Sequence, residues 1–196
     1  MKKIIGCSIV MTMIMANVCF AGIYDLEMSA GSSTLEARFN ATLPLDKGFL
    51  TTGLGAIYND DDYKIADITL ALSNEIFLSE LKFNLGFKGL LGKIEKDHKD
   101  GDLMAAGLAF SMKYSIPKSI APIPIGISAG VSWAPDPVCF LDSDKYLGFR
   151  TNLHLCIVKN GAIIIGYRHI KIGFDDDHGQ WEKSAGTFFV GYQVRY

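Results

Sequence analysis

The chain has no hydrophobic run after residue 21 that is long enough to form a transmembrane helix. Such a helix needs about 20 consecutive, mostly apolar residues. If the protein crosses a bilayer, it must therefore do so as a β-barrel, since a closed barrel also satisfies its backbone hydrogen bonds within lipid. Helix signals are scarce, whereas Gly, Thr, Tyr, Phe and Ile are frequent, so the chain is predicted to be mostly strand.

Positive charge is in short supply as well. Two of the 19 Lys and Arg residues lie within the first 21 residues, which leaves 17 basic against 21 acidic residues and a net charge of −4. Domains that bind nucleic acid carry a clustered basic face. We therefore expect no nucleic-acid partner.

Residues 1–21 have the composition of a secretory signal peptide. Two lysines precede an apolar run over residues 4–18, and small residues follow at the positions that a signal peptidase reads. The run is short for a signal anchor, and the bulky Val18 argues against a lipoprotein acylated at Cys19. We predict a signal peptide over 1–21 and one domain over 22–196.

Cysteine is rare, and only Cys139 and Cys156 remain after the signal peptide. An exported protein meets an oxidising compartment in which disulfides form. A disulfide needs the two Cα atoms within about 7 Å. Because Cys139 is predicted in a loop and Cys156 far along the next strand, we expect two free thiols.

What the chain has in abundance is alternation of apolar and other residues, which is the period of a strand with one apolar face. It recurs in about ten segments of roughly 9 to 11 residues, the length that a tilted strand needs to cross a bilayer. The last segment is typical, and only Phe189 breaks its pattern. Its apolar positions are Phe188, Val190, Tyr192, Val194 and Tyr196.

These segments predict an antiparallel up-and-down transmembrane β-barrel of about 10 strands, with 8 as the alternative, since bacterial single-chain barrels have an even strand number. Acidic or charged connections alternate with turns that carry Pro or Asn-Gly and are mostly shorter. We expect the acidic set to form the long outer loops of such a barrel. The set comprises residues 59–62, 93–102, 134–144 and 174–183.

Alternation alone does not separate a membrane barrel from a soluble periplasmic barrel that binds an apolar ligand. The polar face distinguishes the two and favours the membrane barrel. It is rich in Gly, Ser, Thr and Ala, which suit a crowded interior better than a solvated exterior. Its seven bases outnumber its four acids, so we expect trapped water or a polar channel. The predicted lumen-lining residues are Glu36, Arg38, Asp67, Lys82, Lys88, Lys113, Arg150, His154, Arg168 and Arg195.

Catalytic and metal-binding patterns are weak. His154 and Cys156 lie two apart on the polar face and suggest the base and nucleophile of a lipid-modifying enzyme, but a polar lumen position beside a small filler is the favoured interpretation. Residues 175–177 are three aspartates that suit a hard cation or a cation bridge to lipopolysaccharide, although a solvated charge run is favoured. His98 and His178 are expected as solvated loop histidines. We predict no catalytic residue, metal site or cofactor.

Three motifs together resemble the YfaZ family of Gram-negative outer-membrane proteins. They are residues 133–136 (Trp-Ala-Pro-Asp), residues 166–170 (Gly-Tyr-Arg-His-Ile), and the carboxy-terminal strand, which also resembles the terminal signal of outer-membrane barrels. The resemblance implies an outer-membrane barrel of unestablished activity, with no catalytic residues to transfer. We expect contacts with outer-membrane lipid and lipopolysaccharide, and with the barrel-assembly machinery through that strand.

The sequence thus predicts an integral outer-membrane β-barrel protein of Gram-negative bacteria. Its expected role is non-enzymatic, either structural or as a narrow channel for small solutes. The alternatives are a lipid-modifying enzyme of the outer membrane and a soluble periplasmic barrel.

Overall fold

The computed structural model describes residues 22–60, 62–75, 80–96, 99–117, 119, 123–176 and 179–196. The predicted signal peptide lies outside these residues. The described part of the chain contains eleven strands: β1 (Ile23–Gly31), β2 (Thr34–Pro44), β3 (Phe49–Asn59), β4 (Tyr63–Glu75), β5 (Leu81–Lys96), β6 (Lys99–Ser115), β7 (Ile125–Ala134), β8 (Cys139–Leu141), β9 (Ser143–Val158), β10 (Gly161–Asp176) and β11 (Gly179–Arg195).

Ten of these strands form a closed antiparallel barrel. Neighbours along the chain pair with one another, β7 pairs with β9, and β1 pairs with β11 to close the ring. The three-residue strand β8 pairs only with β6 and lies in the connection after β7. This confirms the predicted up-and-down barrel of ten strands. No helix in the described residues is long and apolar enough to cross a membrane.

The apolar face of the barrel points outward. Phe87 is 69% exposed and Phe188 is 77% exposed, whereas Glu36 and Arg168, on the other face, are each 5% exposed. Ion pairs from β2 to β9 and β10, which are not its neighbours, place the polar face in a shared lumen. This inversion is that of a membrane barrel, and it excludes the soluble barrel with an apolar interior.

Aromatic side chains mark both ends of the apolar band. We call the end of the barrel where β1 begins and β11 ends the termini end. Tyr192 and Tyr196 lie at this end and Tyr58 and Trp133 at the opposite end, all of them exposed. Aromatic rings at these two levels match the interfacial girdles of membrane barrels.

The prediction of long outer loops was wrong for two of the four connections. Strand β5 continues to Lys96 and β6 begins at Lys99, and β10 and β11 likewise leave only residues 177–178 between them. These strands are 16 or 17 residues long. The third connection, after β7, contains a 3-10 turn (Asp136–Val138) and β8.

The reason is a change in which face is apolar. Beyond the membrane-spanning part, the exposed face of β5 carries Lys93 and Glu95, whereas Ile94 points inward and is fully buried. In β10, Phe174 points inward in the same way. The charged residues that resemble loops in the sequence are therefore the water-facing side chains of strands that continue beyond the membrane.

The two cysteines are free, as predicted. Cys139 lies in β8, at the end of the barrel opposite the termini, and Cys156 lies near the termini end of β9. The length of β9 therefore separates the two thiols.

The outward face gives a stability prediction. Replacing Phe87 by Lys should destabilise the barrel by about 2–4 kcal/mol, the cost of a lysine on the lipid face near the bilayer midplane. The measurement is urea unfolding of the protein in lipid vesicles. Leu45→Lys is the matched control, because Leu45 is 47% exposed but lies in the turn after β2. Equal costs for the two variants would contradict the outward assignment.

Candidate functional site in the barrel lumen

The centre of the lumen is organised around one carboxylate, that of Glu36 on β2. Its oxygens accept hydrogen bonds from Arg38 on the same strand, from Nη1 of Arg150 on β9 at 2.8 Å and from Nη1 of Arg168 on β10 at 2.5 Å. Arg150 and Arg168 face each other across the pair β9–β10. Two like charges in that arrangement repel, and Glu36 offsets the repulsion by bridging them.

Two further carboxylates complete this cluster, which we call the lumen network. Glu27 on β1 pairs with Arg150, and Asp67 on β4 pairs with Lys88 at 3.1 Å and with Arg38 at 3.4 Å. The side chains of Glu27, Glu36 and Asp67 are between 1% and 7% exposed. Glu36 and Asp67 each pair with more than one base, and Glu27 shares Arg150 with Glu36. This sharing explains how bases that outnumber the acids are still paired in the lumen network.

Phe189, the exception in the alternation of the last strand, supports this network. Its side chain is 4% exposed, and the guanidinium carbon of Arg150 lies 4.7 Å from its ring centroid. A desolvated cation over an aromatic face gains about 2 kcal/mol. Gly166 lies opposite on β10, where a Cβ would come within 2.5 Å of the Phe189 ring. The irregular apolar position is thus a packing element of the charged cluster.

Between the lumen network and the end opposite the termini, the lumen becomes apolar. Phe174 stacks on Trp181 with ring centroids 4.2 Å apart, and a Cβ on Gly101 of β6 would lie 2.7 Å from the Phe174 ring. Because β6 and β10 are not neighbours, this contact crosses the barrel. We call the buried side chains here the apolar plug. They include Ile57, Tyr63, Ile65, Leu90, Ile94, Leu103, Ile170, Ile172 and Phe174.

An ion pair reinforces the plug. Lys183 on β11 reaches Asp62 in the turn after β3, and the lysine side chain is only 13% exposed. Asp62 lies between β3 and β4, neither of which is a neighbour of β11, so the pair also crosses the lumen. The described residues therefore pack tightly across this end of the lumen.

The termini end of the lumen is more open and basic. A cavity of about 160 Å³ is lined by Lys113, His154 and Arg195, and a second of about 190 Å³ lies beside Arg38, Lys88 and Arg168. Lys82 lies with its Nζ 5.1 Å from the ring centroid of Phe49. Of the ten predicted lumen residues, six therefore belong to the lumen network. Lys113, His154 and Arg195 line the cavity of about 160 Å³, and Lys82 lies over Phe49.

The suspected pair of His154 and Cys156 is not a catalytic pair in this arrangement. His154 Nε2 lies 3.0 Å from the hydroxyl of Ser128, which also accepts a hydrogen bond from Asn152. Cys156 is exposed at the rim. Sequence reasoning missed Ser128, because a lone serine on a strand gives no signal. Among the described hydrogen bonds, no carboxylate holds the imidazole of His154, as a triad would require.

The acidic run of β10 does not form a metal site in the described residues, where no group of three or more candidate ligands converges. Asp175 accepts a hydrogen bond from Gln180 at 3.3 Å, across the β10–β11 hairpin. Asp177, His98 and His178 lie outside the described residues.

Removing the central carboxylate should be costly. Glu36→Gln leaves the positive charges of three arginines without their shared partner, and breaking a buried pair costs about 3–5 kcal/mol. The same urea titration in vesicles measures the effect. Glu182→Gln is the control, because Glu182 forms a partly exposed pair with Lys171 at 3.0 Å and such pairs contribute about 0–1 kcal/mol. A loss for Glu36→Gln as small as that of the control would refute the central role of Glu36.

No protein-family model and no curated protein sequence matches the chain. The solved structures to which it is similar include the KdgM porin, at 11% sequence identity over 88% of this chain and 98% of that chain, with a TM-score of 0.42. Neisserial surface protein A is 12% identical over 89% and 94%, with a TM-score of 0.37. Outer membrane protein Omp33 of Acinetobacter baumannii is 8% identical over 90% and 98%, with a TM-score of 0.36. These similarities transfer no residue role and no solute to this chain.

Proposed function

We propose that the chain is a non-enzymatic, integral outer-membrane β-barrel whose lumen is closed at its outer end, so that its role is structural rather than that of an open channel. The observation that carries this proposal is the apolar plug. Ile94 and Phe174 are 0% exposed, and Leu103 and Ile172 are 1% exposed, although all four point into the lumen. The side chains of an open pore at this level would be wetted.

The assignment of the outer end rests on the two ends of the barrel. The start of β1 and the end of β11 lie at one end, together with the turn after β2 and the Asn-Gly turn after β9. In bacterial outer-membrane barrels this is the periplasmic end. The plug and the extended hairpins β5–β6 and β10–β11 lie at the other end, which we assign to the cell exterior.

The size of the cavities also supports a closed lumen. The two that adjoin the lumen network and the termini end measure about 190 and 160 Å³. Binding sites for small organic molecules are usually about 300–1,000 Å³, whereas these spaces suit a few ordered waters. Of the two predicted roles, structural or narrow channel, the geometry favours the first.

The enzymatic alternative is disfavoured by the position of its candidate groups. A lipid-modifying enzyme must present its nucleophile to lipid, but Ser128 and His154 lie on the lumen side of β7 and β9. We expect that Cys156→Ala and Ser128→Ala each leave the lipid A composition of cells that express the protein unchanged. Mass spectrometry of extracted lipid A measures this, and a modification lost in either variant would overturn the non-enzymatic assignment.

Membership of the YfaZ family stays a prediction that rests on the three motifs. The exposed parity of the carboxy-terminal strand, with Phe188, Val190 and Tyr192 facing outward, agrees with recognition of this strand by the barrel-assembly machinery. That recognition is likewise proposed.

The closed lumen leads to an electrical prediction. The mature chain, reconstituted in planar lipid bilayers, should give no stable step conductance, because the apolar plug excludes water and ions. The double variant Phe174→Ala with Trp181→Ala should give a larger leak current than the unaltered chain, since it removes the stacked aromatic pair from the plug. Phe188→Ala with Tyr192→Ala is the matched control, because both side chains face outward. Stable conductance from the unaltered chain would refute the proposal.

A further inference from the structure

A long apolar groove runs across the outside of the barrel, over strands β1 to β5, and reaches residues of β6, β8 and β11 at its edges. Its volume is about 950 Å³. In its middle, Ala37, Ala56 and Ala66 lie side by side in register across β2, β3 and β4. The next outward-facing row toward the termini contains Phe39, Leu54 and Ile68. The alanine methyl groups therefore project less far from the barrel wall than the larger side chains beside them.

The outer edge of this groove carries an unusual pair of charges. Lys64 and Lys93 face each other directly across the pair β4–β5, and both are exposed lining residues of the groove. Like charges in such a pair are destabilising. Lys64 Nζ lies 5.4 Å from the Tyr58 ring centroid, and Lys93 lies 3.7 Å from the carboxylate of Asp102. The Tyr58 hydroxyl donates a hydrogen bond to Asp60 at 2.6 Å, so each lysine has an acidic residue nearby, and Asp102 is within ion-pair distance of Lys93 alone.

The lumen shows how the same problem is solved elsewhere in this barrel. Arg150 and Arg168 also face each other directly across two strands, and Glu36 bridges them. No described carboxylate bridges Lys64 to Lys93. An anion bound from outside the barrel would bridge Lys64 and Lys93 as Glu36 bridges Arg150 and Arg168.

The depth of the lysines fits a lipid headgroup. Ala66 and Leu91 are the last apolar outward-facing residues of β4 and β5, and Lys64 and Lys93 follow them at the next outward positions. The outward face changes from lipid-facing to water-facing at this level. Lysines at such a boundary place their ammonium groups among lipid phosphates.

We propose that this groove binds the lipid A part of lipopolysaccharide, with acyl chains over the alanine row and a phosphate between Lys64 and Lys93. The proposal rests on the proposed function, because it requires this end of the barrel to face the outer leaflet. The groove is apolar along its length, which suits the acyl chains, and its outer edge carries two facing ammonium groups that no described carboxylate bridges, which suits the phosphate.

The test uses the mature chain, purified in detergent, with hexa-acylated lipid A, dephosphorylated lipid A and phosphatidylglycerol as probes. Native mass spectrometry gives the bound fraction as each lipid is titrated. The double variant Lys64→Ala with Lys93→Ala should bind lipid A roughly 30-fold more weakly, at about 1 kcal/mol for each lysine. Lys145→Ala with Lys171→Ala is the control, because these partly exposed lysines lie on β9 and β10, outside the groove.

A second pair of variants tests the apolar part. Ala56→Trp fills the groove and should abolish binding with both lysines still present, whereas Ala106→Trp, on the outward face of β6, should not. Heat-dependent mobility in electrophoresis checks that each variant is a folded barrel.

Three results would overturn the proposal: equal losses in the two lysine double variants, unchanged binding by Ala56→Trp, or equal affinity for phosphatidylglycerol and lipid A. If binding fails while the folded barrel remains non-conducting, the groove assignment alone is refuted. Stable conductance from the unaltered chain would instead refute the proposed closed lumen.

Discussion

The medium around the barrel decides how its side chains are arranged. Closure of the ring through β1 and β11 gives each of the ten barrel strands a partner on both sides, so the backbone is satisfied even in lipid and only the side chains respond to their surroundings. Where lipid surrounds the strands, Leu85 and Phe87 face outward. Where water surrounds them, Ile94 and Phe174 face inward. The period of two continues unchanged, and only its phase reverses.

This constraint forces charge into the lumen at membrane depth, and the lumen network is the response. Burial of a charge is costly unless it is paired and hydrogen-bonded. Glu36 meets that condition for guanidinium groups from three strands, two of which lie across the barrel. Such contacts depend on the diameter and register of the ring, so the network also favours one closed arrangement. Phe189 adds an apolar surface that holds Arg150 in place.

The strand pattern, the ring and the outward direction of Phe87 could be predicted, because a period of two and a small-residue face are visible in the sequence. The extents of β5 and β10 were missed, because their charged residues were taken for loops although Ile94 and Phe174 continue the alternation in opposite phase. The partners of Glu36 could not be predicted. Arg150 lies 114 residues away along the chain, and only the folded ring brings the two together.

The same constraint decides where any opening of the lumen would occur. The apolar plug is built largely from the extended hairpins β5–β6 and β10–β11, which project beyond the level where the outward face turns polar. Lipid does not confine these hairpins, and the contact of Gly101 with Phe174 joins them across the lumen. Separating them would expose apolar surface to water, at about 25 cal/mol per Å², but it would leave the lumen network intact below. A gate in this barrel would therefore lie outside the membrane, where opening breaks none of the buried ion pairs of the lumen network.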